Sequence, residues 1–289
     1  MAGLRWPARP YCPRLTRVTS QAERAERFLA LHGGPEPLLI PNPWDAGSAK
    51  LLVSLGFQAL ATTSGGFAAT LGRLDGQVSR EEALAHCSAL TRAVDVPVSA
   101  DLENGYADDP DEVAETVRGA VDAGLAGCSI EDFTRRDSDP IYDQARATER
   151  VAAAAEAAHA SPVRLVLTAR AENYLHGRPG LADTIARLQA YQEAGADVLY
   201  APGLTSLADI RSLVSSVDRP VNVLALADGP PVPELAAAGV RRISVGSAFT
   251  WVAFGAVAEA AAELRGHGTY GFLQHAATGR AAAREAFGA

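Results

Sequence analysis

Ala123-Gly124-Leu125-Ala126-Gly127-Cys128-Ser129-Ile130-Glu131-Asp132 ends a helix, stops it at a glycine and runs a short strand into two acids. The same phrase returns at Ala194-Gly195 before Asp197–Tyr200 and at Ala238-Gly239 before Arg242–Val245. Glycine tolerates the left-handed conformation that closes a helix, so the phrase marks the junction of a helix with the next strand. Working outward, further β-type runs fall at Leu38–Pro41, Ala59–Thr63, Val96–Ala100, Arg164–Thr168 and Val221–Leu224. Runs this short and apolar read as strands covered on both faces. Helical stretches fill the gaps, and Ser79-Arg80-Glu81-Glu82 and Asp109-Pro110-Asp111-Glu112 carry cap and first-turn acid signals. Eight strands alternating with helices predict a (β/α)₈ TIM barrel. An open doubly wound sheet is the alternative, but its Gly-x-Gly-x-x-Gly phosphate turn is absent.

The 289 residues suit one domain of this kind. Residues 1–24 read as a disordered N-terminal extension, and 25–289 as the barrel with C-terminal helices broken near Gly266-His267-Gly268. A net charge of -8 opposes nonspecific binding to nucleic acid or anionic membrane. No apolar run approaches the roughly 18 residues of a membrane span. Cys12, Cys87 and Cys128 are scattered and form no metal or disulfide pattern, which fits a reducing cytoplasm.

Barrel chemistry gathers where strands end and the following loops begin. Those positions hold Asn42, Trp44 and Asp45; Ser64-Gly65-Gly66 and then Asp75; Asp101, Glu103 and Tyr106; Glu131-Asp132; Arg170 and Glu172; and Asn222. Carboxylates crowded at one mouth need a cation or protons between them. Oxygen ligands without Cys or His select a hard ion, Mg²⁺ or Mn²⁺. Asp101 and Glu103 share a side of the chain by strand period two, with Glu131 one strand along. Asp45 and Asp132 read as helix caps. Arg170 offers a planar fork for a substrate carboxylate, or simply balances the acids. Gly65-Gly66 exposes backbone N–H groups as a carboxylate cradle, or forms a bare turn. Trp44 and Asn222 are further candidate substrate contacts. His176 is the titratable candidate for an acid at neutral pH.

Ser64-Gly65-Gly66, Leu71-Gly72 with Asp75, Asp101-x-Glu103-x-Gly105-Tyr106, Ile130-Glu131-Asp132 and Thr168-Ala169-Arg170 resemble the isocitrate lyase/phosphoenolpyruvate mutase superfamily over roughly residues 25 to 265. The resemblance implies a helix-swapped barrel assembled as a dimer of dimers. It implies Mg²⁺ held, often through water, by Asp75, Asp101, Glu103 and Glu131. It implies a 2-oxo acid substrate, an enolate intermediate, a carboxylate held at Ser64 and Gly65-Gly66, and contact from Arg170. The departures lie after the fourth strand. Phe133-Thr134-Arg135-Arg136-Asp137-Ser138 lacks the Cys and His of the family's lyases, and the Lys and Asn of its phosphonomutases. Ala201-Pro202-Gly203 stands where several lyases supply a Glu. The expected activity is therefore decarboxylation of an oxaloacetate-like acid. Phosphonopyruvate-type C–P chemistry and a catalytically silent metabolite-binding barrel are the alternatives.

Overall fold

The computed structural model describes residues 19–288; Cys12 and the rest of residues 1–18 lie outside the described residues. The strands are β1 (Leu38–Ile40), β2 (Leu60–Ala61), β3 (Val98–Asp101), β4 (Gly127–Glu131), β5 (Val166–Arg170), β6 (Val198–Tyr200), β7 (Val221–Leu224) and β8 (Arg242–Ser244). The helices are α1 (Gln21–Leu31), α2 (Ala46–Ser54), α3 (Ser64–Thr70), α4 (Arg80–Ala93), α5 (Pro110–Asp122), α6 (Gln144–Ala160), α7 (Leu181–Glu193), α8 (Leu207–Ser215), α9 (Val232–Ala237), α10 (Ala248–His267) and α11 (Leu273–Phe287). None of them is long and apolar enough to cross a membrane.

All strand pairs are parallel, in the order β1-β8-β7-β6-β5-β4-β3-β2. Between β1 and β2 the ladder narrows to one backbone bond, from Ala61 N to Pro41 O at 3.1 Å. Asn42 clamps this seam. Its Nδ2 donates to Thr62 O at 2.9 Å, and its Oδ1 accepts from Val245 N and Gly246 N at 3.0 Å each. One side chain thus joins β2 to the chain after β8 and rounds the sheet into a barrel. The open sheet is excluded.

The fifth strand begins and ends two residues later than its apolar run suggests, at Val166–Arg170. Arg164 stays outside the ladder to bind Asp197 Oδ1 at 2.6 Å, and the shift carries Arg170 into the strand. The third strand starts after Pro97, whose missing N–H cannot join the ladder. The α8 helix is capped by Ser206, whose side chain accepts from Asp209 N.

The N-terminal helix also starts earlier than a boundary at residue 25 allows. A capping box of Ser20 with Glu23 opens α1, and the helix lays Ala25 and Phe28 across the N-terminal ends of the strands. There they join Leu38, Ile40, Ala59, Ala126, Val166 and Val198 in an apolar layer that floors the barrel. Gly127 is required by that contact, because a Cβ on it would lie 2.7 Å from both the Phe28 ring and Val166 O.

Outside the barrel, the larger core packs the outward strand residues against the buried faces of α4 to α7, of which that of α6 is Ala-rich. The helix after β8 behaves differently. Thr250, in its first turn, is its one buried residue, and α11 packs beside α2 instead. Gly268, at φ 64°, makes the left-handed break between them. Leu39, on the outer face of β1, is left 41% exposed.

Phe28 is fully buried, so Phe28→Ala is expected to cost about 3–5 kcal/mol. Urea denaturation with an unchanged m-value is the check.

Candidate active site

The C-terminal ends of β3, β4 and β5 place three carboxylates around one guanidinium. Arg170 Nη1 donates to Asp101 Oδ1 at 2.9 Å, Nη2 lies 3.2 Å from Glu131 Oε2, and Nε donates to Glu172 Oε1 at 2.8 Å. Burial works against the Arg170 charge, but Glu172, Glu131 and Asp101 outweigh it and hold its pKa above the usual value. Burial raises the pKa of Glu131 and of Glu172, with Arg170 opposing the rise in both. Glu172 has no role in the residue pattern alone, yet it completes this hub.

Asp132 is not a helix cap. It accepts from Glu172 N at 2.7 Å, Tyr191 OH at 2.7 Å and Arg187 Nη1 at 3.1 Å. It therefore ties the turn after β5 to α7 and fixes Glu172 against Arg170. Asp45 does cap α2, in a capping box with Ser48.

Glu103 reaches the mouth by a different route from strand alternation. The chain leaves β3 at Asp101, and Glu103 sits at φ 49°, in the left-handed region. A bond from Glu131 N to Glu103 O at 3.0 Å holds this strained turn. Glu103 then faces Arg135, which arrives from the loop after β4 and bonds Glu103 Oε2. Arg135 also lies 5.2 Å from the centroid of the Tyr106 ring. The loop is pinned by the Phe133–Ile141 bridge and by Phe133 stacked on His176 at 3.8 Å.

Ser64-Gly65-Gly66 is the first turn of α3, capped by Thr63, and not a free cradle. Ser64 donates to Asp101 Oδ2 from its backbone N at 3.2 Å and its Oγ at 2.9 Å. A Cβ on Gly65 would sit 2.9 Å from Ser247 Oγ and 3.1 Å from Asp75 Oδ2; one on Gly66 would meet Thr250 Oγ1 at 2.6 Å. Close packing, not turn conformation, demands these glycines. Asp75 is thereby held over the start of α3, its pKa raised by burial and by Asp101.

A cavity of about 150 Å³ opens here, lined by Ser64, Asp75, Asp101, Arg170, Tyr200 and Asn222 among others. A second hollow, of about 10 Å³, adjoins it between Asp101, Glu103, Tyr106 and His86. Trp44 lines neither; its Cβ packs beside the Gly66 position. His176 lines neither as well. It stacks on Phe133 with Nε2 3.9 Å from Glu172 Oε2, and burial lowers its pKa. The expected acid thus props the loop after β4 against the turn after β5. Cys128 is buried packing, with its thiol pushed up to about 12 by burial.

Among the described residues no three His, Cys, Asp or Glu side chains form a ready metal cage. Of the expected set of Asp75, Asp101, Glu103 and Glu131, the last three each have one oxygen engaged by Arg170 or Arg135. The donors still fit a hydrated hard cation. All are oxygen, and Glu103 Oε1 is buried with no partner. Asp75, Asp101, Glu103, Glu131 and Glu172 outnumber Arg170 and Arg135. A Mg²⁺ ion keeps several waters and needs only one or two carboxylates.

Fold and site together define a (β/α)₈-barrel enzyme with an acid-rich, arginine-braced mouth. The chain belongs to the isocitrate lyase/phosphoenolpyruvate mutase superfamily: residues 28–265 match the family model described as phosphoenolpyruvate phosphomutase. A solved lyase/mutase candidate from Burkholderia cenocepacia J2315 is 52% identical, with a TM-score of 0.88 over 91% of this chain and 95% of that one. Oxaloacetate acetylhydrolase, solved with its product oxalate, is 27% identical with a TM-score of 0.77, over 87% of this chain and 89% of that one. The 2-methylisocitrate lyase of Escherichia coli (strain K12) is 31% identical over 64% of each chain.

Burial pushes the Glu103 carboxyl up to about 7, with Arg135 opposing and Asp101 and Asp75 reinforcing the rise. An unfolded glutamate titrates near about 4.3. The native protein therefore holds the extra proton between the two values, and stability falls as pH rises through that window. Glu103→Gln cannot ionise and is expected to flatten the slope, gaining on the order of 3–4 kcal/mol above it. Denaturation across this range in metal-free buffer is the check; parallel slopes would assign the effect to other groups.

Proposed function

We propose that this chain is a Mg²⁺-dependent lyase that decarboxylates a small 2-oxo dicarboxylate of the oxaloacetate type through an enolate. The observation that carries the reading is the surplus of carboxylate around a cavity large enough for such an acid. A divalent cation bound there would supply a Lewis acid for the substrate's keto and carboxylate oxygens. Asp75, Asp101, Glu103 and Glu131 are the residues to hold it, through its waters.

The chain's own residues account for the rest. Arg170 aligns Asp101, Glu131 and Glu172, and Asp132 fixes Glu172 in turn. Loss of CO₂ leaves the electron pair of the broken C–C bond on the enolate, which then takes a proton from water to give pyruvate. That step needs no dedicated acid, which agrees with the loop after β4. Where other lyases of the superfamily carry Cys and His, this chain brings Arg135, which bonds Glu103. Relatives named for oxaloacetate and for 2-methylisocitrate support a small polycarboxylic acid as substrate. The description of the matching family model favours C–P chemistry on phosphonopyruvate as the second reading.

Pyruvate release from oxaloacetate and from phosphonopyruvate, with Mg²⁺ and after EDTA, separates the two. Oxaloacetate turnover that EDTA abolishes is expected, with isocitrate and 2-methylisocitrate uncleaved. Arg170→Ala should lower kcat/KM by roughly 30- to 1000-fold, and Arg170→Lys should recover only part. Activity that survives EDTA, or phosphonopyruvate as the sole substrate, would overturn the reading.

The same proposal includes self-association, as the dimer of dimers that the family resemblance implies. Trp251, Val252, Phe254 and Val257 on α10 are each at least half exposed, and among the described residues Leu39 on the outer face of β1 is left exposed as well. A helix exchanged between copies would bury both surfaces. Light scattering should find an oligomer that Val252→Glu with Val257→Glu dissociates; a wild-type monomer would end the idea.

A further inference from the structure

Arg170 has little to offer an incoming anion, since Nε, Nη1 and Nη2 each already serve a carboxylate. Arg242 lines the same cavity and is in the opposite situation. It opens β8 and pairs in register with Leu38, part of the floor layer, so it lies deep in the barrel. Its Nε donates to Asn222 Oδ1 at 3.0 Å, and Nη1 lies 3.5 Å from His32 Nε2. Nη2 donates to no described residue, and among the described residues no carboxylate lies within 4.0 Å. His32 does not compensate; burial holds its pKa down to about 4, so it is neutral. Burial also draws the Arg242 pKa down to about 10. The side chain is 5% exposed. A guanidinium so placed is unfavourable unless an anion meets it.

The walls around it suit an anion. Barrel interiors are usually filled by branched apolar side chains. Here Ser99, Ser129, Tyr200, Asn222 and Ser244 line the cavity. Ser244 Oγ accepts from Asn222 Nδ2 at 3.0 Å and also bonds Tyr200, so it ties two cavity-lining polar side chains together. Thr168, inward on β5 by alternation with Arg170, is fully buried, and its Oγ1 has no partner. Polar groups are thus collected inside the barrel with fewer internal partners than they can use.

We propose that Arg242, with Asn222 and Ser244, forms a subsite deep in the barrel that takes the substrate's second anionic group, a carboxylate remote from the acids at the mouth. The proposal rests on the small-dicarboxylate reading and extends it: the substrate lies along the barrel axis, one end at the acids and the other at Arg242. Asn222 orients the guanidinium through Nε, and the Nη2 edge faces the cavity.

Isothermal titration with Mg²⁺ present, comparing pyruvate, L-malate and inorganic phosphate, tests this on wild type, Arg242→Met and Arg242→Lys. Arg242→Met should weaken L-malate roughly 10- to 100-fold and leave pyruvate nearly unchanged. Arg242→Lys should fall between. The melting temperature of Arg242→Met should hold or rise, because an apolar side chain replaces an unpaired buried charge. Equal losses for malate and pyruvate, or none, would overturn the subsite. So would a response confined to phosphate, which would make it a site for free inorganic anions. If Arg242→Met does not fold, the malate-to-pyruvate ratio in Arg242→Lys decides, and a wild-type ratio counts against the proposal. Arg242-dependent malate binding in a protein that turns over no 2-oxo acid would keep the subsite and end the decarboxylase reading; oxaloacetate turnover unaffected by Arg242→Met would do the reverse.

Discussion

The guanidinium of Arg170 is the fixed point of the mouth. It stands between Asp101 on β3, Glu131 on β4 and Glu172 just beyond its own strand. Without it those carboxylates would face one another in a site closed to most solvent, where removing one partner of a buried pair costs about 3–5 kcal/mol. Much of the nearby structure serves this arrangement. Asp132 pins Glu172 to α7, Ser64 donates twice to Asp101, and the left-handed turn at Glu103 is locked to the backbone of Glu131.

The barrel is closed below and polar within. The α1 helix seals the floor with Phe28, and Asn42 draws the β1–β2 seam together. The polar side chains above that floor line the cavity that opens at the mouth. A closed floor also raises the electrostatic weight of every charge above it, since fewer solvent molecules screen them.

The two arginines of the cavity divide the electrostatic work. Arg170 is saturated by acids and acts as scaffold, while Arg242 is buried without one. Arg135 adds a third cation from the loop after β4, against Glu103 and Tyr106. Substrate choice in such a site depends on which cation remains available to an anion and on the depth at which it sits. On the proposed reading, the mouth acids and the β4 loop govern the chemistry, and the barrel interior governs which acid fits.

Much of this was legible in the residues. The Ala-Gly phrases and short apolar runs determined the number and order of the strands, because helix stops and strand burial are local properties. The acids at strand ends were legible because the barrel rule places them there whatever the side chains do. Glycine at 65 and 66 was visible, but its reason was not; contacts with Ser247 and Thr250, far along the chain, make it necessary. His176 looked like an acid by residue type and proved to be a prop, since its ring stacks on Phe133 outside the cavity. Arg242 gave only a faint signal, a charge opening an apolar strand, and Arg135 stood in a loop first notable for what it lacks. The sequence by itself determined the fold class, the family and the acid set. Only the tertiary structure decided which arginine is spent on carboxylates and which is buried without a described one, because ion pairing depends on distances between strands that no local pattern encodes.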